Sequence, residues 1–500
     1  MRDPLLLLSA TRLAAMIRAG EVSAAEVVEA HIRHIEQVNP AINAMVATRF
    51  DAARAEARAA DERRRCEPLA ELPPFLGVPC SIKESFAVTG MPHSAGLVAR
   101  AGVRAAEDAV AVARLRAAGF IPLGVTNTSE LCMWMESNNR IYGRTNNPYD
   151  LRRIVGGSSG GEGAIVGAGG APVGLGSDIA GSIRMPAFFN GVFGHKPTGG
   201  LVPSTGQFPV PAGATLRYMT TGPITRRAED LMPVLRLLAG PDGRDPSCID
   251  CALADPDTVD VATLSVLTLE GDGVTPVHPE LIAAQRRAAD ALARLGADVR
   301  PARLTGLGRA LEIWAAMVEA GNTHRACEGE AGEIPKIPTF GEMLGDGRPV
   351  RAGRELARWA LRRSPHTLPA LALALLQHAG KLVPDRMRRA VELGQALRKE
   401  LEAQLGTRGV LLYPSHPVPA PLHYQPLLFP FRWTYTAIFN VLEVPATQVP
   451  LGLGAAGLPL GAQIVAAHGQ DHLAIAVARR LEQDLGGWTP PPLLPLSPRR

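Results

Sequence analysis

The segment EDAVAVARLRAA (107–118) carries a helical pattern, Gly119 ends it, and the apolar FIPLGV (120–125) that follows has the composition of a buried strand. The alternation recurs. APVGLG (171–176) reads as another short strand ending in a turn, and LPLGAQIVA (458–466) as a strand feeding the helix HLAIAVARRLEQDL (472–485). Strands of this kind bury both faces only if helices cover them, so the pattern predicts an α/β fold with a sheet between helical layers. Length fits either several domains or one large α/β unit. No repeat of 20 to 50 residues is visible.

Composition excludes several classes. With 46% apolar and 20% charged residues the chain can bury a large core, and wholesale disorder is ruled out. A net charge of +4 over 500 residues gives no sign of a nucleic-acid partner. The six cysteines (66, 80, 132, 248, 251, 327) are sparse and irregular, as free thiols in a reducing compartment would be. CIDC (248–251) lacks a second pair and reads as a surface loop rather than a metal site. The N-terminal PLLLL is too short for a signal-peptide core, and no stretch reaches the length of about 18 apolar residues that spans a bilayer. A cytoplasmic location is expected, with peripheral contact at a membrane as its variant.

Local signals place further elements. Ser23 opens SAAE, a capping box, and its helix is expected to run through HIRHIEQV until Asn39-Pro40 stops it. His31 and His34 on that helix are expected at the surface, since no acidic partner accompanies them. Residues 50–65 read as a charged helix, and the tail TPPPLLPLSPRR as an extended end. Residues 348–399 depart from the average, with twelve basic residues against three acidic ones around the apolar run LPALALALL (368–376). Two readings stand side by side: a monotopic membrane contact, or a helical subdomain that packs the run into its own core.

Three stretches combine small residues with reactive groups: GVPCSIKESF around Lys83, GGSSGGEG at 156–163, and GSDIAGSIRMPAFFNG around Ser182. Ser182 is expected to start a helix just after a glycine-containing turn. Free N–H groups from Ile179 through Ser182 could there receive the oxyanion of acyl transfer. An isolated serine in such a place is more often only a cap. A serine nucleophile also needs a base. His195 is near in sequence, and Lys83 serves if burial keeps its amine neutral.

Lys83, Ser158-Ser159 and Ser182 together resemble the Ser–Ser–Lys triad of the amidase signature family. The likeness runs through GGSSGGEGAIVGAGGAPVGLGSDIAGSIRMP (156–186), and on through PFLGVPCSIKESF, GVTNTSELCMW, NNPYDL and GVFGHKPT. It implies a single large three-layer α/β/α domain around a mixed central sheet. By resemblance Ser182 is the nucleophile, Ser158, preceded by a cis peptide bond, relays the proton, and Lys83 is the base. Ser159 is the neighbouring loop serine, and the backbone N–H groups of Ile179, Ala180, Gly181 and Ser182 form the oxyanion hole. Ala180 stands where many relatives carry glycine. Asp178 and Arg184 are expected to hold the loop in shape. No metal or organic cofactor is implied, and the partner is a small-molecule amide.

Within that family the chain resembles the fatty-acid amide hydrolases, especially those of the second vertebrate type. Glu162 carries it, as do SELCMWMESNNRIYGRTNNPYDL (129–151), SIRMPAFFNGVFGHKP (182–197) and LLYPSHPVPAP (411–421). The group's membrane anchor has no counterpart before PLLLL, while 348–399 falls where its lipid-admitting cap lies, which favours the membrane reading. The resemblance implies N-terminal helices over 1–65, a signature core over 75–240, a cap over 340–405 and the rest of the core over 406–485. Cys132, Met133, Trp134, Phe188 and Phe189 are the candidate substrate contacts. The implied substrates are fatty-acid primary amides or N-acylethanolamines. Short-chain or aryl amides come second, and the amidase subunit of a tRNA amidotransferase is a remoter alternative. Homodimerisation is a further expectation.

Overall fold

The computed structural model describes residues 3–323, 339–380 and 384–492. Cys327, Lys381 and the last eight residues of the tail lie outside them. Thirteen strands are present among these residues: β1 (Met45–Thr48), β2 (Pro79–Lys83), β3 (Ile121–Thr126), β4 (Asn138–Asn139), β5 (Gly143–Arg144), β6 (Val173–Asp178) and β7 (Phe193–Lys196) precede β8 (Thr220–Thr225). Then come β9 (Ser265–Thr268), β10 (Asp298–Pro301), β11 (Gly409–Tyr413), β12 (Ala446–Leu453) and β13 (Pro459–Ala466). All but β4 and β5 join one mixed sheet of 11 strands, in the order β1-β3-β2-β6-β8-β7-β12-β13-β11-β9-β10. The triplet β3-β2-β6 is parallel and every residue in it is buried, as expected where helices cover both faces.

The N-terminal half holds helices α1 (Ala10–Ala19), α2 (Ala24–Ile42), α3 (Phe50–Cys66), α4 (Val110–Ala117), α5 (Gly160–Ala168), α6 (Arg184–Phe189), α7 (Thr215–Tyr218) and α8 (Leu231–Leu238). After α9 (Pro279–Arg294) and α10 (Ala310–Thr323) come α11 (Phe340–Leu344), α12 (Ala352–Ala360), α13 (Leu368–Gly380), α14 (Pro384–Leu405), α15 (Thr434–Val441) and α16 (Asp471–Leu485). Among the described residues no helix is long and apolar enough to cross a membrane.

The capping box forms: Ser23 Oγ accepts from the Glu26 N–H, and the Glu26 carboxylate accepts from the Ser23 N–H. The helix does not stop at Asn39-Pro40. It runs past Pro40 to Ile42, where Asn43 closes it in the left-handed region at φ 48°. His31 and His34 are buried rather than at the surface. His31 Nδ1 meets the Val27 carbonyl at 2.8 Å, and His34 Nε2 meets that of Ala168 on α5 at 2.8 Å. An i, i+3 pair shares one face, and here that face points at the core. Burial holds the His31 imidazole neutral, its pKa pushed down to about 3.

The apolar run 368–376 lies in α13, and its Ala370, Leu371 and Ala374 pack into a cluster with Leu97, Leu131, Phe340 and Leu344, the subdomain reading. Helices α11 to α13 gather around this cluster as a small subdomain within the expected cap. In contrast, α14 places Leu397, Leu401 and Leu405 against Leu411 and Phe439 of the main body.

Candidate active site

Lys83 ends β2, and Ser177 and Asp178 end β6, its parallel neighbour, so these groups emerge at the carboxyl edge of the sheet. The Lys83 amine is fully buried and donates to Ser158 Oγ at 2.7 Å and to Ser177 Oγ at 3.0 Å. Burial drives its pKa below the ordinary lysine value, while Cys132, Asp178 and Glu162 pull the other way without restoring it. Glu162, on α5, accepts from the hydroxyls of Ser81 and Thr126, and burial raises its pKa to about 7 despite those bonds and the lysine nearby.

The loop that carries Ser158 is tied from outside. Ser137 Oγ donates to the carbonyls of Gly156 and Ser158 at 3.1 Å each, and accepts from the Gly160 N–H at 3.0 Å. The Gly157–Ser158 peptide is cis. A Cβ on Gly157 would stand 2.3 Å from the Trp134 carbonyl oxygen, so only glycine lets this loop lie against the wall of the cavity. Ser159 hydrogen-bonds to β6 through its hydroxyl at the Ser177 carbonyl, 3.2 Å, and its N–H reaches the Ser182 carbonyl, also 3.2 Å.

Ser182 does not start a helix. The helix begins at Arg184 and is six residues long, and Asp178 rather than Ser182 accepts the N–H groups of Ile183 and Arg184. The Gly181 N–H also goes to Asp178, at 2.6 Å. Of the four expected oxyanion donors, Gly181 is therefore occupied. The N–H groups of Ile179, Ala180 and Ser182 meet no protein acceptor among the described residues. Trp314 Nε1 donates to the Ile179 carbonyl at 3.0 Å, and Thr436 Oγ1 to that of Ala180 at 3.0 Å. Because a trans peptide sets its N–H opposite its C=O, tying these two carbonyls fixes where the next N–H groups point.

A fully buried ion pair underlies this turn. Arg184 donates to both oxygens of Asp178 at 3.0 Å, and to Gln463 and Asn440 at 2.8 and 2.6 Å. Burial alone would raise the Asp178 pKa, yet the guanidinium holds the carboxyl well below the usual carboxylate range.

A narrow cavity of about 70 Å³ opens at Ser182, Ile179 and Ala180. Cys132, Met133 and Trp134 line it, and Trp314, Trp433 and Leu373 of α13 close it. Phe188 and Phe189 do not line it. They are fully buried on α6 and belong to the main core, because their short helix turns that face toward the sheet. No hydrogen bond joins the Ser158 and Ser182 hydroxyls among the described residues.

His195 is not at the site. It lies in β7, its ring between Thr447 Oγ1 at 2.8 Å and Asp471 at 3.0 Å. This hydroxyl–imidazole–carboxylate array is wholly buried, so no substrate meets it. Sequence reasoning did not identify Ser177, Ser137, Trp314, Leu373 or Trp433. Ser177 could have been found from its place beside Asp178 at the end of a strand paired with that of Lys83. The others come from distant segments and carry no local signal.

The geometry has counterparts. The sequence profile of the family described as Amidase matches residues 26–475. The chain is 46% identical to fatty-acid amide hydrolase 2-A of Danio rerio, over 99% of this chain and 92% of that protein. It is likewise 46% identical to fatty-acid amide hydrolase 2 of Homo sapiens, over 98% and 91%. The structure of 6-aminohexanoate cyclic dimer hydrolase complexed with substrate superposes with a TM-score of 0.78 at 29% identity, covering 98% of this chain and 99% of that one. With that coverage and a buried lysine–serine pair beside a serine on the cavity wall, the chain belongs to the amidase family, a hydrolase of amide bonds.

Proposed function

We propose that Ser182, Ser158 and Lys83 carry out the hydrolysis, and that the substrates are fatty-acid amides. The observation that carries the reading is the desolvated Lys83 amine, 2.7 Å from Ser158 Oγ, in a site that opens at Ser182 into an apolar cavity. At that distance the bond can run either way, and a neutral amine takes the serine proton. Ser158 in turn takes the proton of Ser182 as Ser182 Oγ attacks the amide carbonyl. The oxyanion settles on the N–H groups of Ile179, Ala180 and Ser182, and the relay runs backward to protonate the leaving nitrogen. Water then hydrolyses the acyl-enzyme by the same relay. Asp178 and Arg184 keep the donors in place. The serine pair closes its gap when substrate binds, since catalytic hydrogen bonds are commonly loose in the free enzyme.

The long-chain preference rests on the Trp, Met and Leu lining and on the relatives named fatty-acid amide hydrolase 2. The test is a panel of long-chain, short-chain and aryl amides, with a small fluorophosphonate to report the reactive serine. Labelling of a residue other than Ser182 sinks the mechanism, and hydrolysis confined to short or aryl amides sinks the substrate class.

Peripheral membrane contact attaches to the cap's outer face. There Leu356, Leu361 and Leu375 stand exposed, with Arg351, Arg354, Arg358, Arg362 and Arg363 around the first two. Co-sedimentation with anionic vesicles that is absent with neutral ones supports this contact, and equal or no binding removes it.

A further inference from the structure

A buried carboxylate of the main body, Glu130, holds the cap, beside an Arg100–Asp346 ion pair at 3.0 Å and an Arg140 bond to the His366 carbonyl at 3.4 Å. Glu130 opens the short turn Glu130–Cys132 that runs straight into Cys132, Met133 and Trp134, the cavity wall. Glu130 is 2% exposed, and His366 and Thr367 of the cap bond to both its oxygens. His366 Nδ1 meets Oε1 at 2.7 Å, while the Thr367 N–H and hydroxyl donate to Oε2 at 2.7 and 2.8 Å. Thr367 directly precedes α13, and its carbonyl accepts the Leu371 N–H, so Glu130 fixes the start of that helix from another segment. The fastening extends inside the cap. Ser364 Oγ accepts from the His366 N–H at 3.2 Å and donates at 2.9 Å to Glu355.

Next to this latch, Leu131 packs into the cap's apolar cluster, and Met133 and Leu373 belong both to that cluster's edge and to the cavity lining. The position of α13 therefore decides where Leu373 stands over Ser182. A buried carboxylate bonded in this way pins geometry, because lifting the cap would strip it of these donors at once.

We infer that Glu130 is a positioning residue that latches α13 over the cavity and thereby sets the preference for long over short acyl chains. The inference rests on the reading of the site given above. A long chain reaches past Ser182 to Met133 and Leu373, so it feels the latch, whereas a short chain reacts before reaching them.

The experiment compares kcat and KM of wild type, Glu130→Ala, Glu130→Gln and Thr367→Val on one long-chain and one short-chain amide. The labelling rate with a small fluorophosphonate is followed in parallel. The expected result for Glu130→Ala is about a tenfold fall in long-chain kcat/KM, mostly through KM, with short-chain turnover and labelling little changed. Glu130→Gln keeps acceptors for Thr367 and should recover part of the loss, and Thr367→Val should lose an intermediate amount. An equal fall on both substrates, or unchanged discrimination in a folded variant, overturns the inference. Should Glu130→Ala fail to fold, Thr367→Val decides alone, by the same ratio. Wild-type protein with no amidase activity, or labelled elsewhere, would instead overturn the reading of the site.

Discussion

The proposed relay needs a lysine that can accept a proton near neutral pH, and burial at the end of β2 favours this by pushing the Lys83 pKa below the ordinary lysine value. The consequence for activity has a definite sign. As pH falls through the lowered pKa the amine protonates and the relay stops, so kcat/KM should fall on the acid side. Stability moves with it. Between the folded and unfolded pKa values the unfolded chain binds the extra proton, so Lys83 costs stability at neutral pH. Lys83→Met should therefore lose about 10³-fold or more in kcat yet unfold at a higher temperature than wild type at pH 7. A variant that is both inactive and less stable would mean that the amine is charged and paired. Glu162 modulates this. Its carboxylate, where ionised, favours the ammonium form of Lys83, so Glu162→Gln should move the acid limb of the pH–rate profile to lower pH. A limb moving upward would contradict that coupling. From sequence, Lys83 was one strand lysine among the chain's few, and only its company of serines in a family pattern marked it. Glu162 was visible as a subfamily signal, but its titration was not, because Ser81 and Thr126 meet it only after β2, β3 and α5 have packed.

At the scale of elements, the loop before α5 shows how the geometry around Ser158 is held by residues outside it. Ser137, in the turn after the cavity wall, bonds two carbonyls and one N–H of the 156–160 loop. Ser137→Ala strands these buried groups and should cost about 1–3 kcal/mol of unfolding free energy. Its kinetic mark should be a lower kcat with KM nearly intact, since Ser158 shifts while the acyl pocket stays. Steady-state kinetics beside urea unfolding would check both parts, and an unchanged kcat would remove Ser137 from the support of the relay. Elements with a strong period were legible here: the strands around 121–126, 173–178 and 459–466 and the helix from 471 all follow their patterns. What misled were features whose meaning depends on the neighbour. His31 and His34 look alike facing water or facing α5. Ser182 looks like a helix start until Asp178 is seen to take that role. The greasy run 368–376 has the same composition whether it meets lipid or Leu97 and Leu131. Phe188 and Phe189 lie six and seven residues after Ser182, in a six-residue helix, and only the sheet beneath decides that they point inward.

Across the whole molecule, the turn that carries Ser182 in the N-terminal half is braced by the C-terminal half. Arg184 reaches Asn440 on α15 and Gln463 on β13, and Asn440 returns two bonds to Asp178 at 2.9 Å. The sheet makes this possible, because β7 pairs with β12 and joins the two halves edge to edge. The turn over Ser182 is therefore complete only when residues more than 250 positions away have docked, which no local pattern could announce. Removing Arg184 exposes the logic of the arrangement. Arg184→Met leaves Asp178 as a buried carboxylate without its cation, at a cost of about 3–5 kcal/mol. The pH dependence should change sign as well. In the wild type the Asp178 pKa lies below its unfolded value, so its contribution is present above the ordinary carboxylate range and lost as pH falls through the folded pKa. In Arg184→Met burial is no longer opposed by the guanidinium, the folded pKa rises, and protonation becomes favourable to the fold. That variant should gain stability as pH is lowered from neutral toward the carboxylate range, where the wild-type pair gives no such gain. Adding Asp178→Asn should restore much of the lost stability at neutral pH, with a coupling energy of about 0.5–3 kcal/mol in the double-mutant cycle, but not activity. The neutral amide can still accept from Gly181 but no longer holds the charge that orders the turn. Thermal unfolding of the three variants between pH 5 and 8 measures this, and additive losses would show that the pair is held by its neighbours rather than by each other.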